Sequence, residues 1–141
     1  MKKGFKILGK YMQSMFGDGM VYELNRNYTI DGYIEAGSRG YHYYESLLDC
    51  SRFCLLPYYR IFECEITGNV SNEKGNIKCT NGIKLVREIS QDEIKQYILD
   101  NLDEFMSSKN FLDRRTVAVY KINLDILKND PDGYVRYIAN R

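Results

Sequence analysis

The residues best equipped for chemistry lie between Gly40 and Gly68, in the stretch GYHYYESLLDCSRFCLLPYYRIFECEITG. It holds the only histidine, His42, set among Tyr41, Tyr43 and Tyr44. An imidazole titrates near neutrality and can move a proton or accept a hydrogen bond. The neighbouring phenols add flat rings with polar tips, suited to stacking against a base. A second aromatic pair, Tyr58-Tyr59, precedes Arg60, and Glu63 and Glu65 follow two residues apart. On a strand that spacing puts both carboxylates on one side. In a cleft they could split their pKa values and act as acid, base or ribose-binding groups. On an open face they are solvated, or answered by Lys78 and Lys84. The candidate ligand-binding set is therefore Tyr41, His42, Tyr44, Tyr58, Tyr59, Arg60, Glu63 and Glu65. His42 and Glu65 are the candidate catalytic groups, and a hydrogen-bonded structural role is the alternative for His42.

No spacing fixes a mechanism. The glycines at 17, 19, 37 and 40 make neither a G-x-x-x-x-G-K nor a G-x-G-x-x-G loop. Cys50, Cys54, Cys64 and Cys79 contain no C-x-x-C pair, so they read as buried thiols and no metal site is expected. Lys6, Arg26, Arg39, Arg60, Arg114 and Arg115 are scattered, and only folding could bring them to one anion.

The elements that must position these groups begin with a strand at Phe5–Leu8 and a turn at Gly17-Asp18-Gly19. Met20–Leu24 reads as a second strand. Tyr28–Ile30 and Tyr33–Glu35 read as a hairpin across Asp31-Gly32, and Tyr41–Tyr44 as a further strand. Ser46 suits the N-cap of a short helix that Pro57 ends. Residues 60–67 alternate as a strand, with Phe62, Cys64 and Ile66 on one side. Residues 76–79 and 83–88 form either a hairpin across Thr80-Asn81-Gly82 or one strand bulged at Gly82. Ser90 and Glu93 make a capping box opening one long helix, about 91–107. Thr116–Ile122 is rich in β-branched residues and reads as a strand. Asn123 or Asp125 starts a helical turn, and Asp130-Pro131-Asp132-Gly133 caps a last helix, 134–140. The expected fold class is α+β. It has a mostly antiparallel curved sheet of short strands, with one long helix and small helices packed on it, as a single domain over 1–141.

The formal net charge of +1 removes the broad electrostatic argument for nucleic acid. No apolar run approaches the ~18 residues of a membrane span. The start, MKKGFKILGKYM, is interrupted by Gly9 and Lys10 and does not read as a signal peptide, so a cytoplasmic protein is expected.

The succession GFKIL, VYELNRNYTIDG, GYHYY, RIFECEITG and IKLVREIS resembles a small domain family of unknown function found in phages and bacteria. Its pattern runs G-F-K, then Y-x-x-G-x-x-Y, then G-F-H-F-C, then I-K-I-V-R-E-I. Here Asn25 stands where a glycine is usual, and Tyr41, Tyr43 and Tyr44 depart from the third block. The resemblance covers roughly residues 4–90 and implies a phage or mobile-element origin. A further likeness is to ADP-ribosyltransferases. His42, Tyr58 or Tyr59, and Glu65 of Glu63-Cys64-Glu65 are similar in order to their histidine, tyrosine and E-x-E glutamate. That likeness implies an enzyme acting on NAD.

The favoured expectation is a phage- or prophage-encoded binding module without a cofactor. It would hold a nucleotide-like small ligand or a host protein in a Tyr/His/Arg-lined pocket. The ADP-ribosyltransferase-like enzyme, with NAD as cofactor, is the alternative.

Overall fold

The computed structural model describes residues 2–15, 20–71 and 74–141. The chain forms two compact units, Met1–Cys50 with Tyr59–Ile89, and Ser51–Tyr58 with Ser90–Arg141. The class is α+β, with antiparallel sheets in the first unit and short helices in the second.

The sheet unit holds β1 (Lys2–Leu8), β2 (Asn27–Thr29), β3 (Tyr41–Tyr43), β4 (Arg60–Ile66), β5 (Lys78–Thr80) and β6 (Gly82–Ile89). Four strands pair antiparallel in the order β1-β4-β6-β2, and β3 pairs with β5. Alternation along β4 follows the pleat: Phe62, Cys64 and Ile66 are buried while Glu63 and Glu65 are half-buried. Asn81 alone separates β5 from β6, and at Phe5 and Tyr44 reciprocal backbone bonds of 2.7 and 2.8 Å tie the end of β3 to β1. The pairing therefore returns on itself around a core that includes Tyr22, Tyr28, Tyr41, Tyr43 and Phe62.

Several expectations need correction here. Asn81 makes neither a hairpin nor a simple bulge. Its Oδ1 takes the Asn69 N–H (2.8 Å) and its carbonyl takes the Ile30 N–H (3.0 Å), so β5 and β6 pair with different strands. Met20–Leu24 forms only bridges, Gln13 with Val21 and Leu24 with Leu85. β2 pairs with β6 rather than with residues 33–35, whose Glu35 instead bridges Arg39. The expected turn at Gly17-Asp18-Gly19 lies outside the described residues.

α1 (Leu47–Phe53) starts as expected, with Ser46 Oγ accepting the Asp49 N–H at 3.1 Å. The helical unit contains α2 (Gln91–Asp100), α3 (Leu102–Ser107), α4 (Phe111–Val119), α5 (Leu124–Leu127) and α6 (Gly133–Ala139). The Ser90–Glu93 capping box is formed. The single long helix is not, because Asn101 interrupts it. There the Asn101 side chain donates to the Tyr97 carbonyl (2.8 Å), competing with the helical ladder, and the backbone leaves the helical region.

The strand expected at Thr116–Ile122 is also overturned. Asn110 caps α4 by accepting the Leu112 N–H (3.0 Å), and Thr116 Oγ1 bonds back to the Leu112 carbonyl (3.0 Å). Burial of Thr116, Val117 and Ala118 on this helix outweighs their modest strand preference. α5 follows Asn123, whose side chain makes no capping bond, while α6 has the expected cap, with Asp132 Oδ1 accepting from Tyr134 and Val135 N–H. Among the described residues no helix is long and apolar enough to cross a membrane.

Candidate functional site

β3 places Tyr41 and His42 beside the turn that precedes them. That turn is closed by the Glu35 and Arg39 backbones, with Glu35 N–H donating to the Arg39 carbonyl (2.8 Å) and the reverse bond at 2.9 Å. Gly40 leaves it at φ +129°, and a Cβ there would lie 2.1 Å from Cys79 Sγ, so only glycine fits. Two side chains hold the turn. The Gly37 N–H donates to His42 Nε2 at 2.8 Å, and the Cys79 thiol donates to the Arg39 carbonyl at 3.0 Å.

The result is a cleft of about 290 Å³ lined by Met20, Ile30, Ser38, Arg39, Gly40, Tyr41 and His42. Tyr41 presents one wall, and its ring packs edge-on against Tyr22 and Tyr28, with centroids 6.3 Å away in each case. Arg39 folds back over Asp31–Tyr33. Its guanidinium donates to the Asp31 carbonyl (2.7 Å) and to the Tyr33 carbonyl, and it lies over the Tyr33 ring. Its charge pairs with no carboxylate among the described residues.

Lys6 enters from β1. It is 2% exposed, donates to the His42 carbonyl at 2.6 Å, and stands 4.9 Å from the Tyr22 ring centroid. An ammonium so far from water needs such carbonyl and ring partners. Burial pushes the Cys64 thiol up to about 12 and raises that of Cys79, and the Lys6 charge offsets part of each rise. Both are therefore neutral thiols near pH 7, and all four cysteines are buried and unbridged.

The remaining expected residues stand elsewhere. Tyr44 is buried at the bridge to Phe5. Glu63 meets Arg87 Nε (2.8 Å) and Lys3 Nζ (3.6 Å), and Glu65 sits in register with Lys3 and Lys84. Lys78 is engaged by Glu45 instead, whose carboxyl that contact lowers. Arg60 forms a two-pronged pair with Glu88 (2.9 and 2.7 Å), which holds the Glu88 carboxyl below its usual range. Glu63 and Arg60 are thus salt-linked across β1, β4 and β6, and none of these residues lines the His42 cleft. Tyr58 belongs to the helical unit and Tyr59 to the sheet unit.

A family model described as a domain of unknown function, DUF7666, matches residues 2–97. The chain belongs to this family. The DUF7666 match contains β1 to β6 and the whole His42 cleft, and it ends within α2. No curated protein and no solved structure matches the chain.

Of the eight candidate ligand-binding residues only Tyr41 and His42 line this cleft; Met20, Ile30 and Ser38 were not among them, and residue type alone does not single out Arg39 or Lys6 from the other cations. The Gly37-x-x-Gly40 spacing around Arg39 was the available signal, since two positive-φ glycines mark a turn tight enough to aim a side chain.

Proposed function

We propose that the DUF7666 unit is a binding module whose His42 cleft takes a nucleotide-like small ligand. The base would lie against Tyr41, Met20 and Ile30, and the phosphate would meet Arg39. The observation that carries this reading is the Arg39 guanidinium: a cation in the cleft lining, fixed by two backbone carbonyls, with no carboxylate partner among the described residues. A guanidinium held this way keeps N–H donors for an anion and loses little entropy on binding. The volume, near 300 Å³, suits one mononucleotide rather than a dinucleotide. His42 serves as a positioning residue for the turn. The phage or prophage origin implied by the family resemblance belongs to the same proposal.

The test is a thermal-shift panel of AMP, GMP, cyclic nucleotides, ADP-ribose and NAD on the native chain and on Arg39→Gln. A mononucleotide at a hundred times its dissociation constant stabilises by about 2.7 kcal/mol. The native chain should show that shift and Arg39→Gln should lose most of it while keeping its own unfolding midpoint. A panel without any shift, or an equal shift in the variant, overturns the proposal. A shift confined to NAD and ADP-ribose would overturn the mononucleotide reading and move the inquiry to Glu65.

A further inference from the structure

The helical unit carries a second, larger concavity of about 500 Å³. Its floor is Ala118 of α4 and Ala139 of α6, both buried. Leu55, Leu124 and Ile138, half-buried, form its sides, and Tyr58, Lys121 and Arg141, exposed, form its rim. Its origin is local. Small residues on α4 and α6 leave room that larger ones would fill. Then Lys121 (φ +60°) and Asn123 (φ +52°) bend the chain sharply after α4, so that α5 brings Leu124 to one side.

Two properties point to an occupant. The lining side chains are mostly aliphatic, and the only charged ones are two cations, Lys121 and Arg141. Neither is ion-paired among the described residues; Arg141 rests over the Tyr137 ring. An extended peptide laid here would bring amide groups that aliphatic walls leave unsatisfied. A hydrocarbon chain brings none. We propose that this groove binds a long-chain fatty carboxylate, with the alkyl chain over Ala118 and Ala139 and the carboxylate between Lys121 and Arg141.

The experiment is calorimetric titration of the full chain with dodecanoate below its micellar range. Dodecyltrimethylammonium serves as the same tail with the opposite head, and an apolar peptide with a free C-terminal carboxylate is a third titrant. Dodecanoate should bind one to one and at least about tenfold more tightly than either comparator. Lys121→Gln/Arg141→Gln, at exposed positions, should keep the unfolding midpoint and weaken dodecanoate at least about tenfold; Arg141→Gln alone should weaken it by a smaller factor. Arg39→Gln should leave it unchanged, which separates this site from the His42 cleft. Non-saturable uptake, equal binding of both head groups, tighter capture of the peptide, or an unchanged affinity in either glutamine variant would overturn the proposal.

Discussion

The Gly37 N–H is donated to Nε2 of His42 across 2.8 Å, so the imidazole is an acceptor at that nitrogen and carries its proton on Nδ1. The one histidine of the chain is thereby committed to holding the turn that presents Arg39. It is 4% exposed, and its carbonyl takes the Lys6 ammonium. Long-range nitrogen–proton correlation spectra should therefore show the Nδ1–H tautomer at neutral pH; an Nε2–H signature would contradict the geometry. His42→Ala should cost about 2 kcal/mol in denaturant unfolding, from lost packing and a lost acceptor. A midpoint within a few tenths of a kcal/mol of the native chain would mean that the turn stands without it.

Gly40 faces Cys79 across the same turn. A Cβ at Gly40 would meet Cys79 Sγ at 2.1 Å and the Thr80 carbonyl at 3.1 Å, on a backbone at φ +129°. Gly40→Ala should destabilise the sheet unit by about 3 kcal/mol, combining the clash with the unfavourable dihedral. Cys79→Ala removes the sulfur but not the dihedral, so the double variant should recover part of the loss. Strict additivity in that cycle would show that the two positions do not touch.

These relationships explain what could be read in advance. β4 was legible because its period of two is carried by Phe62, Cys64 and Ile66, all in the core. The capping box at Ser90 and Glu93 was legible because it is local, with both partners three residues apart. The break at Asn101 was not, since one asparagine decides between continuing the ladder and bonding the Tyr97 carbonyl. Thr116–Ile122 reads as a strand because propensity speaks louder than pattern over so short a run; the cap at Asn110 and the bonds of Asp113 to Arg52 and of Arg115 to the Ser51 carbonyl hold Phe111–Val119 as a helix. In the cleft, Tyr41 and His42 stood out by type. Met20, Ile30 and Arg39 come from irregular segments whose convergence is set by Gly32, Gly37 and Gly40 rather than by any period.

Within the helical unit Asp113 is fully buried, and Arg52 grips both its oxygens at 2.9 and 2.8 Å while Ser108 Oγ adds a third bond at 2.5 Å. Desolvated carboxylates are tolerated only when so partnered. Asp113→Leu removes the carboxylate that Arg52 and Ser108 hold and should cost about 3 kcal/mol, while Arg52→Leu/Asp113→Leu should cost less than the sum of Arg52→Leu and Asp113→Leu. Equilibrium unfolding of the four proteins checks this, and a sum equal to the double variant would remove the coupling.

Asp130 supplies the pH dependence. Burial alone would raise its carboxyl, but the Arg114 side chain at 2.7 and 3.2 Å, the Asp132 N–H at 2.9 Å and the charges of Arg114 and Arg136 together hold it below the usual 3.8. A carboxyl lowered in the folded state contributes stability that is fully present above the unfolded value and is lost as pH falls through the folded one. Stability from this group is therefore constant from neutral pH down to about 5 and declines below about 4 as Asp130 takes up a proton. Asp130→Asn should cost about 3 kcal/mol at pH 7, at the lower end of the range for a broken buried pair because Arg114 keeps some contact with water. The same variant should flatten the acid limb of the stability curve. Unfolding midpoints of the native chain and Asp130→Asn, measured from pH 7 to pH 3, decide the matter: the two curves should converge as pH falls, and parallel curves would assign the acid sensitivity to other carboxylates.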